Sequence, residues 1–188
     1  MIQQYKDQIK WAVENKKGTI LKGVFPVDIL PEWQEFLNHM NNSAKDYDED
    51  HINKRFVEDG KKLIGIIHFW GEFILASTKL ADAYKNKDYY KKVINEIYEG
   101  ELESLMSIVS ITDWDKSSTR HVDGADTLNL QCIGQTRWQV CDTYEGPCEE
   151  FILSPGDVIF VPAHLNHEVS SIGPRANIIF GYKPKRPI

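Results

Sequence analysis

From residue 105 to residue 182 turn signals cut the chain into short apolar runs, and that rhythm limits this stretch to a β-sandwich or barrel. The runs are Leu105–Trp114, Thr127–Ile133, Arg137–Asp142, Glu150–Leu153, Asp157–Val161, Glu168–Ile172 and Ala176–Tyr182. Between them stand Asp123-Gly124, Ile133-Gly134, Glu145-Gly146-Pro147, Ser154-Pro155-Gly156 and Ile172-Gly173-Pro174, residues that reverse or kink a strand. Residues 1–104 read differently. Ile2, Tyr5, Ile9 and Val13 recur at helical spacing and predict an opening helix that stops near Lys17-Gly18. Thr19–Phe25 reads as a strand ended by Pro26, and Pro31 opens a helix with Trp33, Phe36, Leu37 and Met40 on one side. Asn41–Asp50 reads as a polar loop. Leu63–Leu75 is apolar, and its spacing does not separate strand from helix. Ala81–Glu99 suits a surface helix ending at Gly100. The expectation is a mostly β chain with a helical N-terminal part. One domain spans 1–188, with 1–104 as support and first strands and 105–182 as the β core, because no linker separates them.

The charge balance excludes one class of partner. With 22 Lys and Arg against 28 Asp and Glu, the net charge of −6 offers no basic face for nucleic acid. The basic tail Lys183-Pro184-Lys185-Arg186 reads as solvated. The three cysteines, Cys132, Cys141 and Cys148, form no CxxC pair, so the expectation is reduced thiols in a cytoplasmic protein. No apolar run reaches the length of a membrane span, and residues 1–10 lack the apolar stretch of a signal peptide.

The chemistry concentrates in Thr119-Arg120-His121-Val122-Asp123-Gly124. On a strand, side chains two apart share a face, so His121 and Asp123 can reach one ion. A second histidine would complete two imidazoles and one carboxylate, the set that suits non-haem Fe(II) because it leaves coordination positions open. His164 and His167 are the two candidates. His39, His51 and His68 lack any partner spacing and read as ordinary, and Trp138 reads as barrel packing.

Gly156, Pro162 and His167 bracket the next block, Gly156-x5-Pro162-x4-His167. This block resembles the second motif of the cupins, and His121-x-Asp123 with Gly134 beyond it resembles the first, in the form used by Fe(II)/2-oxoglutarate oxygenases. The resemblance covers roughly residues 105–182 and implies a double-stranded β-helix, or jelly-roll, core. It places the distal iron ligand on His167, with His164 falling where cupins commonly have glycine. The implied metal set is therefore His121, Asp123 and His167.

The resemblance also implies 2-oxoglutarate as cosubstrate, whose far carboxylate needs a cation inside the barrel. JmjC-type hydroxylases place Lys or Arg in a Gly-x-Lys-x-Trp block. The counterpart here, Gly134-Gln135-Thr136-Arg137-Trp138, has Thr136 at that position, and alternation turns Arg137 to the other face. Prolyl-hydroxylase-like enzymes use an Arg beyond the distal His, which corresponds to Arg175, eight residues after His167. Parity from His121 and Asp123 puts Thr127 and Asn129 on the site face, and the resemblance adds Ser118 and Thr127 as cosubstrate contacts. The implied activity is hydroxylation of a protein side chain or small molecule with O2, releasing succinate and CO2. Trp70, Glu72, Phe73, Tyr89 and Tyr90 would frame the barrel mouth, and some relatives dimerise through helices. Two other readings stay open: a metal-dependent cupin enzyme that does not use 2-oxoglutarate, which Thr136 favours, and a cupin-fold binding module without activity.

Overall fold

The computed structural model describes residues 2–38, 67–68, 72–76, 84–110 and 118–184. Helix α1 spans Ile2–Asn15 and buries Tyr5, Ile9 and Ala12. The apolar stripe is thus rotated from the expected one: Ile2 is exposed and Val13 only packs against the core. The helix stops because Lys16 turns left-handed, at φ 50, and the Lys17 N–H closes on the Ala12 carbonyl. Strand β1 is shorter than expected, Thr19–Leu21, and a 3-10 turn at Val27–Ile29 follows Pro26. Residues 33–38 are helical, with Phe36 buried but Leu37 half-exposed. Within the ambiguous Leu63–Leu75 run, β2 (Ile67–His68) and β3 (Glu72–Ala76) are strands. Helix α2 is Lys87–Ile97 and buries Tyr90, Ile94 and Ile97. Met40, Trp70, His39, His51 and the Asn41–Asp50 loop lie outside the described residues.

The remaining strands are β4 (Leu102–Ser110), β5 (Ser118–His121), β6 (Asp126–Cys141), β7 (Cys148–Leu153), β8 (Val158–Val161) and β9 (Asn166–Tyr182). All pairing is antiparallel, in the order β1-β8-β6-β9-β4-β3-β2, with β5 added on β9 and β7 on β6. The long strands β6 and β9 organise the rest. They pair along nearly their whole length, and each takes different outer partners at its two ends. Residues 127–130 of β6 pair with β8 and residues 175–182 of β9 pair with β4, while 136–141 of β6 pair with β7 and the start of β9 pairs with β5.

Two expected turns are therefore bulges inside continuous strands. At Ile133-Gly134 and Ile172-Gly173-Pro174 the chain kinks without reversing, and the β6–β9 register shifts there. Both glycines take positive φ, +66 at Gly134 and +75 at Gly173, a conformation shared by bulges and tight turns. Gly134 is also a point of close approach: a Cβ there would lie 2.1 Å from the Pro174 carbonyl oxygen.

Alternation along these strands separates two interiors. One face carries Leu128, Leu130, Val158, Phe160, Ile178 and Phe180 against α1 and α2. Each such side chain, fully buried, contributes roughly 1.5–3 kcal/mol. Tyr90 belongs to this layer, packed edge-on to Phe25 and bonded to the Ile29 carbonyl, so it does not frame a barrel mouth; Tyr89 is half-exposed beside the same Phe25 ring. The opposite face carries Trp138, Val140, Ile159, Val161 and Val169, which pack together with Leu165 from the turn between β8 and β9. Among the described residues no helix is long and apolar enough to cross a membrane.

The cysteines correct the expectation of free thiols. Cys141 and Cys148 face each other at the mouth of the β6–β7 hairpin, with Cα atoms 4.0 Å apart, and form a disulfide. Their separation of seven residues carries no motif; only the hairpin register brings them together. Cys132 is a free, buried thiol whose pKa burial pushes up. The cysteines thus no longer argue for a reducing compartment. Closing so short a loop should stabilise the fold by about 2–3 kcal/mol. Cys148→Ser, or reduction of the wild type, should lower the urea midpoint accordingly, and an unchanged midpoint would show that the bridge adds nothing.

Candidate metal centre

Three side chains from two segments of the C-terminal half converge. One ligand atom each from His121, Asp123 and His167 lies within 4.8 Å of the others. His121 ends β5 and His167 begins β9, directly opposite each other in the β5–β9 register, with rings 4.3 Å apart. Asp123 lies just past the end of β5, so strand alternation alone does not place it. A backbone bond does: the His164 N–H donates to the Asp123 carbonyl at 2.8 Å.

The imidazoles are oriented by their own backbone. His121 Nδ1 lies 2.7 Å from the Thr119 carbonyl and His167 Nδ1 lies 3.0 Å from the Leu165 carbonyl. A carbonyl only accepts, so each Nδ1 carries a proton, and Nε2 is the ring nitrogen left to face a metal. Both Nε2 atoms point at the carboxylate: His121 Nε2 is 3.7 Å from Asp123 Oδ1 and His167 Nε2 is 3.5 Å from Asp123 Oδ2. Two imidazole nitrogens and a carboxylate on one side, with the outer nitrogens held by carbonyls, fit the chemistry of a divalent metal.

The turn at residues 162–165 supports two of the ligands at once. Its His164 amide holds Asp123, and its Leu165 carbonyl holds His167. The turn is pinned by Asp126, whose carboxylate accepts from the Ala163 N–H and from the Tyr98 hydroxyl. Burial, then that bond, pushes the Tyr98 pKa far up. His164 itself is exposed, at φ 62, and its side chain is not among the converging ligands.

Burial pushes the Asp123 carboxyl up, but the hydrogen bond and charge of His167 and the charge of His121 outweigh it and hold the carboxyl below its ordinary value. Such a group adds stability above its unfolded-state pKa and loses it as pH falls through the lower folded value. The metal-free wild type should therefore lose stability relative to Asp123→Asn as pH drops below about 3.8. Parallel denaturant midpoints for the two proteins from pH 5 to pH 2 check this, and a constant difference would refute it.

Behind the triad the interior wall of β6 and β9 is polar. Thr127, Asn129, Gln131, Thr136, Ser171, Arg175 and Asn177 are all buried. Thr127 and Asn129 share the inward face, the Asn129 amide donating to Thr127 Oγ1 at 3.3 Å. Asn129 Oδ1 is buried with no hydrogen-bond partner among the described residues. Arg175 is 1% exposed, its Nε donating to Ser171 Oγ at 3.1 Å and its Nη1 to Asn177 Oδ1 at 2.6 Å. Thr136 donates to Gln131 Oε1 and accepts from Trp138 Nε1. Arg137 points outward to Glu150, 3.6 Å away. Trp138 packs in the interior and stacks on His167. Ser118 pairs with Val169 through its backbone; its side chain lies outside the described residues.

No family model matches the chain, and no curated protein does. Among solved structures, the ribosomal oxygenase YcfD from Escherichia coli in complex with cobalt and succinic acid matches with a TM-score of 0.63 at 16% identity, covering 95% of this chain and 52% of that one. The same protein in complex with cobalt and 2-oxoglutarate matches with a TM-score of 0.63 at 15% identity, again over 95% and 52%. The fold is the double-stranded β-helix, or jelly roll. The chain spans about half the length of those oxygenase structures. In this fold β6 and β9 are the long central strands, and the His121–Asp123–His167 cluster sits where β5 and the start of β9 meet.

Sequence reasoning missed Arg120, Asp126, Gln131, Ser171 and Asn177. Parity around Arg175 would have pointed to Asn177, two residues on. Nothing local marks Arg120.

Proposed function

We propose that the chain is an Fe(II)- and 2-oxoglutarate-dependent oxygenase acting on a protein side chain or a small molecule. The observation that carries the reading is the convergence of His121 Nε2, Asp123 and His167 Nε2 while backbone carbonyls engage both Nδ1 atoms. These three residues would hold the iron. Iron and 2-oxoglutarate, when bound, supply the oxidising chemistry, which uses O2 and releases succinate and CO2. The solved Escherichia coli protein of the same fold, bound to cobalt and 2-oxoglutarate, supports the choice of cosubstrate.

The chain's own residues bind, orient and keep water out. Arg175 brings a permanent charge into the interior and is the anchor for the far carboxylate. The missing base at Thr136 is consistent with this. Thr136 pairs with Ser171 across β6 and β9, and Ser171 holds the Arg175 guanidinium. The Arg175 cation is thus tied, through Ser171, to the strand pair that carries Thr136. Thr127 and Asn129 are the polar side; turning the Asn129 amide over would present its N–H groups to an oxygen of the cosubstrate. Trp138, Val140, Leu165 and Val169 supply the dry side.

An anaerobic titration with Fe(II), then 2-oxoglutarate, tests the reading through the visible charge-transfer band of the bound pair. A band that saturates with both supports it. Iron uptake with no response to 2-oxoglutarate would make this a metal-dependent cupin of other chemistry, and no iron uptake would leave a binding module.

A further inference from the structure

The three ligands are held unequally. The His167 side chain is 3% exposed and stacks on Trp138, so packing fixes it. The side chains of His121 and Asp123 are 39% and 42% exposed. His121 ends a four-residue strand, β5, whose register with β9 shifts between Ser118 and His121. Such a strand is a weak platform for a ligand that must stay within a few tenths of an ångström of its place.

Directly behind the ligand pair lies a second contact between the same strands. Arg120 precedes His121 and Glu168 follows His167, so both side chains leave on the face opposite the imidazoles. Arg120 Nε is 3.4 Å from Glu168 Oε2, off the hydrogen-bond direction, with both side chains largely covered. Arg120 Nη1 donates to the Tyr144 carbonyl at 2.6 Å. Tyr144 sits in the loop of the disulfide-closed β6–β7 hairpin, so one guanidinium joins β5, β9 and that hairpin.

We infer that Arg120 is a positioning residue: by clamping β5 to Glu168 of β9 and to the Tyr144 carbonyl of the hairpin loop, it sets the place of His121 in the metal triad. The inference rests on the metal centre described above. Arg120 touches neither the ion nor the cosubstrate. It acts through the backbone of the next residue, and its fork geometry meets two acceptors that a single ammonium cannot meet together. The charge pair belongs to the two ligand strands, so it constrains the spacing of the ligands themselves.

Titration of the whole protein with Co(II) alone, read by its visible d–d absorption, tests this. Arg120→Ala is expected to weaken Co(II) binding by about 10- to 100-fold, the range for loss of a group that orients a ligand, and to change the absorption envelope. Arg120→Lys should recover part of that loss. Glu168→Gln, which keeps shape and removes charge, should fall between wild type and Arg120→Ala, and it carries the test if Arg120→Ala does not fold. Wild-type affinity and spectrum in the variants, whatever their melting temperatures, would overturn the clamp while leaving the metal centre intact. A wild-type protein that takes up no Co(II) would overturn both.

Discussion

His167→Ala is expected to abolish stoichiometric Fe(II) or Co(II) binding, a loss larger than the roughly 10- to 100-fold that follows from removing an orienting neighbour. His167 is the buried member of the triad, fixed from three sides: Trp138 stacks on its ring, the Leu165 carbonyl holds Nδ1, and Asp123 faces Nε2. Alanine leaves one half-exposed imidazole and one half-exposed carboxylate, a pair with no geometric advantage over water. Equilibrium dialysis of variant and wild type side by side measures the difference. His164→Ala is the matched control. That side chain is exposed and outside the converging set, so metal should remain bound. Retention of metal by His167→Ala together with its loss from His164→Ala would reverse the assignment.

The two histidines show where a sequence is readable and where it is not. Gly156, Pro162 and His167 mark the strand and turn that deliver the candidate ligand His167, because glycine and proline leave local traces in the chain. Gly156 takes φ +92 in the turn before β8, and Pro162 follows its last residue. The pair His121 and Asp123 was legible for a partly different reason. Alternation predicts a shared face, yet Asp123 lies beyond the strand and converges through its bond to His164. The spacing marks residues that do converge, with an incomplete physical cause behind it.

Other features left no local trace. Gly134 and Gly173 read as turns because a bulge and a turn both need a left-handed residue; only pairing of the flanks tells them apart. The Cys141–Cys148 bridge depends on hairpin register, and the place of Tyr90 depends on which face α2 turns to the sheet. The polar wall was half legible. Thr127 and Asn129 were reached by counting from the ligands, whereas Gln131 and Thr136 form their own bond across a bulge that interrupts the count.

Arg175 gives the second large expected effect. Replacing it with methionine, which fills similar volume without charge, should raise the 2-oxoglutarate concentration needed for half-saturation while leaving metal affinity unchanged. Truncating one partner of a buried, hydrogen-bonded charge pair costs about 2–5 kcal/mol, which at about 1.4 kcal/mol per tenfold is roughly 30- to several-thousand-fold. The separation of effects follows from position. Arg175 follows the Gly173-Pro174 bulge packed against Gly134, whereas the metal ligands cluster at the end of β5 and the start of β9. Arg175→Lys keeps the charge but loses the fork that bonds Ser171 and Asn177, so an intermediate shift is expected. The control is outward Arg137, whose partner Glu150 lies on the exposed face; Arg137→Met should leave 2-oxoglutarate binding alone. If Arg175→Met binds 2-oxoglutarate as the wild type does, this arginine only supports the β9 bulge, and the cation for the cosubstrate lies elsewhere. If it loses both ligands together, the bulge and the metal centre are one cooperative unit and the variant says nothing particular to the carboxylate; Arg175→Lys, which perturbs packing least, then decides between the two.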